Sequence, residues 1–143
     1  MSLVHAAVTT ASVDPEALRT QVTTPAAGAV ATFVGIIRDH DPEAHGEVTG
    51  IEYTHHPDAD RLIGELVERV VGGGGARVAA VHRVGRLAVG DVALVVAVAT
   101  AHRREAFTWC AEVVEAIKAE LPIWKQQFEA DGRAVWSNLG IDR

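Results

Sequence analysis

The stretch Ala76–Thr100 reads ARVAAVHRVGRLAVGDVALVVAVAT. Ala76 to Arg83 and Val92 to Thr100 are apolar and rich in valine, so each is expected to be a strand. They follow one another with no helical segment between them, which breaks the strand-helix alternation of a doubly wound parallel sheet. Working outward, Leu3 to Thr9, Ala29 to Ile37 and Val48 to Tyr53 have the same β-branched character. On the C-terminal side, Ile123 to Phe128 leads through the turn signal Asp131-Gly132 into Ala134-Val135-Trp136, predicting a terminal hairpin over about residues 122–139.

Three helices are expected among these strands. Asp14-Pro15-Glu16 sets a capping carboxylate before a proline at the first helical position and turns Leu18 and Val22 inward. Asp58, just after Pro57, opens a second helix in which Leu62, Ile63, Leu66, Val67, Val70 and Val71 recur at three and four residues as one buried stripe. Gly72 to Gly75 stops it, and no Gly-Lys-Ser/Thr follows to make a phosphate loop. A third helix follows Arg103, with Phe107, Cys110, Ala111, Val114 and Ile117 on its inner face. It ends near Glu120, because Pro122 disfavours the α conformation for the residue before it. This order predicts an α+β domain with a mostly antiparallel or mixed sheet and the helices packed to one side.

At 143 residues, 48% hydrophobic and 22% charged, the chain fits one domain, 1–143, around one core. Lys and Arg number 13 against 19 Asp and Glu, a formal net charge of -6. The surface as a whole therefore repels polyanions, and no nucleic-acid partner is expected, although a local basic pocket for one small anion is compatible with this balance. The single cysteine, Cys110, excludes an intramolecular disulfide and any zinc site built on two cysteines, and reads as a core thiol of a reducing compartment. Met1-Ser2-Leu3-Val4-His5 lacks the pattern of a signal peptide. Val92 to Ala101 is too short to span a bilayer, which takes about 20 residues. A soluble, cytoplasmic protein without a membrane partner is the expectation.

The scarce basic residues fall at element ends. Arg38 leaves a strand in Gly35-Ile36-Ile37-Arg38-Asp39-His40-Asp41, with an ion pair to Asp39 or Asp41 as the plain alternative. His102-Arg103 precede the third helix, where backbone donors and a guanidinium suit a phosphate or carboxylate, the alternative being a capping histidine beside a surface arginine. Lys118 lies in the last turn of that helix and Lys125 beyond Pro122, on the strand face shared by Ile123 and Gln127. A helix that stops and turns into a strand brings both ammonium groups to one wall, where mutual repulsion favours release of a proton from one of them; the alternative is two solvated surface lysines. His55-His56 point apart in an extended segment and have no third ligand at a metal spacing, so no metal is expected. His82 reads as the end of a strand.

Taken together, Gly28-Ala29-Val30-Ala31-Thr32-Phe33-Val34-Gly35 with Arg38, Ile51-Glu52-Tyr53, His82-Arg83-Val84-Gly85 with Gly90-Asp91, Ala101-His102-Arg103 with Ala106-Phe107, and Lys118 with Pro122-Ile123-Trp124-Lys125 resemble the large catalytic subunit of molybdopterin synthase, in family order from about Gly28 to Trp136. The resemblance implies an α/β-hammerhead fold with a C-terminal β-hairpin subdomain. It implies a sulfurtransferase that converts cyclic pyranopterin monophosphate (precursor Z) to molybdopterin in molybdenum cofactor biosynthesis, with no cofactor of its own. The sulfur comes from a small ubiquitin-like subunit whose C-terminal Gly-Gly thiocarboxylate enters the pocket, and a homodimer of large subunits carries one small subunit at each end as a heterotetramer. By the same resemblance Lys118 and Lys125 are catalytic, while Arg38, His102 and Arg103 contact substrate. Gln126 and Gln127 extend the Lys125 segment as further contacts. Ile36 stands where some relatives have lysine, so Ile36 and Ile37 offer only backbone or apolar contact. The family arginine beyond the hairpin tryptophan has no match at Ser137-Asn138-Leu139-Gly140, and its role is not carried to Arg143. The competing reading is a noncatalytic regulatory module of the same fold that binds an anion or a partner's tail.

Overall fold

The computed structural model describes residues 2–41 and 46–137. In chain order the elements are β1 (Leu3–Thr9), α1 (Pro15–Val22), β2 (Ala29–Ile36), β3 (Val48–His55), α2 (Ala59–Val71), β4 (Arg77–Arg83), β5 (Gly85–Ala88), β6 (Val92–Thr100), α3 (Arg103–Glu120), β7 (Ile123–Glu129) and β8 (Ala134–Ser137). The strands form two four-stranded sheets, β1-β4-β6-β2 and β5-β3-β7-β8. Among the described residues only β1 and β4 pair in parallel. The α+β class with mixed strand direction is the one the element order predicts.

β4 and β6 are the centre of the first sheet, and their alternate residues serve two interiors. Val78, Ala80, Leu94, Val96 and Val98 pack against α2 and α3, while Ala79, Val81, Val95, Ala97 and Ala99 pack against Leu18 and Val22 of α1. A strand buried on both faces reads as an unbroken apolar run, which is why Val92 to Thr100 shows no alternation. The one-sided helix layer expected from sequence therefore holds for α2 and α3 only: α1 covers the opposite face, because that face is apolar too. A third cluster, Ile37, Val48, Ile51, Leu87 and Ala93 with Tyr53 against it, takes residues from both sheets, so the single expected core is divided in three.

The helix ends follow the sequence. Asp14 accepts a hydrogen bond from the Glu16 amide at 3.0 Å, capping α1. Asp58 stands at the start of α2 without a side-chain cap and pairs with Arg61 at 3.3 Å. The buried face of α3 is Ala106, Cys110, Val113, Val114 and Ile117. Ala111 and Phe107 correct the expectation: both are exposed, Phe107 to 68%. Phe107 lies past the edge of the stripe and borders, with Val30 and Phe33, a groove along the outer edge of β2. The hairpin forms as β7 and β8; its expected continuation to residue 139, and Arg143, lie outside the described residues.

Candidate active site

α3 ends when the Leu121 amide donates to the Ile117 carbonyl at 3.0 Å, and Pro122 turns the chain into β7. This corner carries Lys118 on one side and Lys125 on the other. In the β3–β7 ladder Lys125 lies opposite Tyr53 and Gln127 opposite Ile51, so these four share one face of the second sheet. The end of β2 is pinned nearby: the Ile37 amide donates to the Asp91 carbonyl at 3.0 Å and its carbonyl accepts from the Gly90 amide at 2.8 Å. Ile37 is buried and its backbone N–H is engaged, so it anchors the segment, and the next residue, Arg38, emerges exposed.

These elements enclose a cleft of about 220 Å³ in which Arg38, Lys118 and Lys125 meet Tyr53 and Gln127, with Ile36, Ile37, His40, Asp41 and Ile51 completing the wall. Asp41 brings the carboxylate, 3.6 Å from the Lys125 ammonium, with both side chains less than one-fifth exposed. Among the described residues Arg38 makes no ion pair with Asp39 or Asp41, which sets aside the plain reading of that arginine. A concentration of cations within a short radius, on a chain of net charge -6, has the chemistry to attract a small anion.

Beneath the cleft lies a cavity of about 60 Å³ that shares Tyr53, Lys118 and Lys125 and is closed by His82, Ile117, Leu121 and Ile123. His82 is 7% exposed. Its Nδ1 is 2.7 Å from the Arg83 carbonyl oxygen. Its ring meets Tyr53 edge to face, 4.9 Å between centroids at 80°. Burial lowers its pKa to about 4; the hydrogen bond to Arg83 opposes this and the charge of Lys118 adds to it.

Of the residues singled out from sequence, the fold brings together Lys118, Lys125, Arg38, Ile36, Ile37 and Gln127. Gln126 points to the other face of β7, opposite Trp136. His102 and Arg103 lie at the far end of α3, about 22 Å from Lys118 at ~1.5 Å per helical residue. There they border a second cleft of about 480 Å³ with Gly28, Arg104 and Glu105. His102 occupies the N-cap position but its side chain does not cap the helix. Tyr53, His82, His40 and Asp41 were not singled out as site residues; for Tyr53 the signal was its strand register against Lys125, which only pairing reveals. Among the described residues no helix is long and apolar enough to cross a membrane, and no three His, Cys, Asp or Glu side chains are grouped to hold a metal ion.

Comparison with known proteins bears on the same elements. The MoaE protein family matches residues 8–120. Molybdopterin synthase catalytic subunit 1 of Mycobacterium tuberculosis is 37% identical over 120 residues, 80% of this chain and 78% of that protein. The crystal structure of molybdopterin synthase from Staphylococcus aureus superposes with a TM-score of 0.84 at 26% identity, covering 93% of this chain and 96% of the other. A chain from the complex of subunits 1 and 2 of molybdopterin-converting factor from Helicobacter pylori shares the fold, with a TM-score of 0.72 at 17% identity over 97% of this chain and 92% of that one. With its match extending over most of its length, this chain is an enzyme of the MoaE family, that of the molybdopterin synthase catalytic subunits.

Proposed function

We propose that this enzyme installs the two dithiolene sulfurs of molybdopterin on precursor Z, taking sulfur from the C-terminal thiocarboxylate of a small ubiquitin-like subunit. The observation that carries the reading is the convergence of Arg38, Lys118 and Lys125 on one cleft. Both reactants are anionic, one through a cyclic phosphate and the other through its thiocarboxylate, and a cluster of cations converging on one cleft is what gathers two anions against their mutual repulsion. Lys118, at the helix end, meets the thiocarboxylate and shuttles protons during transfer. Lys125 and Arg38 stabilise charge that develops on the pterin or the opened phosphate, and Gln127 offers a buried amide to either reactant. A Gly-Gly tail is the narrow, flexible segment that enters such a cleft, while the globular part of the donor rests on the β7–β8 hairpin.

The His102-Arg103 pair fits the same reading in a homodimer. At about 22 Å from Lys118 the pair is out of reach of its own cleft, so its substrate contact is made in the cleft of a second protomer. The full assembly is then two copies of this chain with a small subunit at each end, located in the cytoplasm. The test is to mix the purified chain with a thiocarboxylated small subunit and precursor Z and to assay the dithiolene product after oxidation to a fluorescent pterin. Product is expected only when all three are present; its absence with the wild-type chain overturns the reading.

A further inference from the structure

His82 has no part in the scheme above, yet it is the buried titratable side chain under the lysine on which that scheme turns. Its Nδ1 lies 2.7 Å from the Arg83 carbonyl oxygen, which accepts and never donates, so Nδ1 carries the ring proton and the lone pair sits on Nε2. The edge-to-face contact with Tyr53 fixes the plane of the ring. The ring thus lines the cavity of about 60 Å³ whose other polar walls are Lys118, Lys125 and Tyr53, a space sufficient for a bridging water. Those three, from α3, β7 and β3, with Arg83 beside it on β4, are the charged and titratable groups around it.

We propose that His82 is a positioning residue for Lys118: a neutral imidazole, held as the Nδ1–H tautomer, whose Nε2 accepts a hydrogen bond from the Lys118 ammonium, directly or across one water. The proposal rests on the role given to Lys118 above. Its chemical logic lies in what an imidazole does and a carboxylate would not do. A carboxylate under Lys118 would fix the ammonium but cancel the charge that draws in an anion. A protonated histidine would add a cation and donate where an acceptor is needed. The neutral ring orients the ammonium and leaves its charge for the reactant. Burial keeps the ring neutral through the range in which such an enzyme works.

The direct test is nitrogen-proton correlation NMR of the histidine side chains of the full chain, without reactants. At pH 7 the expected His82 signal is that of a neutral ring protonated at Nδ1, with an Nε2 resonance that moves in Lys118→Met. A ring protonated at Nε2, or an Nε2 resonance indifferent to Lys118→Met, overturns the proposal. The kinetic counterpart is His82→Phe, which keeps a ring against Tyr53 without an acceptor, and His82→Gln, whose amide oxygen restores one. His82→Phe should lower kcat about tenfold with little change in KM and shift the pH profile, and His82→Gln should recover most of the loss. Equal kcat in His82→Phe and wild type overturns the role. If wild type makes no product, the sulfur-transfer reading fails while the NMR result still decides the His82–Lys118 contact.

Discussion

At the scale of single residues, the two lysines are separable by what each substitution leaves behind. Lys118→Ala should lower turnover by about 10² to 10⁴, the range of a lost general acid or base, with much less effect on partner affinity. Lys118→Arg should not recover, since a guanidinium does not release a proton in this range, whereas Lys125→Arg should restore part of the activity lost in Lys125→Ala. Single-turnover rates check all four, and a Lys118→Arg enzyme near wild-type rate would reduce Lys118 to an electrostatic anchor. His82 supplies a stability prediction with a definite sign. Its ring stays neutral in the folded chain to about pH 4 but titrates near its ordinary 6.5 when unfolded, so the unfolded chain binds the extra proton. Stability from this group is full above pH 6.5 and falls as pH drops towards 4, by about 3 kcal/mol in all. Urea titrations at pH 7 and pH 4.5 should show the loss in wild type and a smaller one in His82→Gln. Lys118 and Lys125 were legible in sequence because one proline corner separates them. Tyr53 and His82 were not, since their approach depends on how distant strands pair, and the distance of His102-Arg103 from the cleft of their own chain is set by the 18-residue helix between them and Lys118.

At the scale of elements, periodicity was a good guide wherever one face or both faces of an element are buried. Leu94 of β6, 1% exposed in the core shared with α2 and α3, illustrates what that burial is worth. Leu94→Ala should destabilise the fold by about 2 to 5 kcal/mol, by lost transfer energy and the cavity left behind. Asp14→Ala removes the cap of α1 and should cost about 1 kcal/mol. Gly28 is a sharper case: its amide donates to the Thr100 carbonyl at 3.0 Å. A Cβ there would collide with the Ala101 carbonyl oxygen, so Gly28→Ala should disturb the start of β2 and lower the melting temperature. Differential scanning calorimetry checks all three. The strand that sequence missed, β5, has four residues and one buried side chain, Leu87, too short to show a period. Phe107 misled for another reason: it belongs to a groove edge, where an aromatic residue near the stripe is indistinguishable from one inside it.

At the scale of the whole molecule, an acidic body with a cationic cleft implies that binding of the donor's anionic tail weakens as salt rises, because the attraction is partly screened at a Debye length of ~8 Å near physiological ionic strength. Titration calorimetry from low to high salt checks this. The homodimer proposed above, with each cleft completed by the second protomer, implies complementation. Lys118→Ala and Arg103→Ala chains, each inactive alone, should regain about a quarter of wild-type activity when allowed to exchange protomers, since half the dimers are mixed and each mixed dimer has one intact cleft. A mixture no more active than its components would remove the cross-protomer role of the pair. The division into two sheets was beyond sequence, because, the β7–β8 hairpin aside, the strands that pair are not consecutive in the chain. That division has a mechanical side. Only Val84, 3% exposed, separates β4 in one sheet from β5 in the other, and Gly85 just after it takes a φ of 92°. A one-residue link with no slack acts as a stiff pivot, and the sheets on either side of the cleft have little freedom to swing. Hydrogen exchange at the amides of Val84 to Leu87 should therefore be slow and unchanged by reactants, and Gly85→Ala, strained at positive φ, should loosen the pivot and speed that exchange.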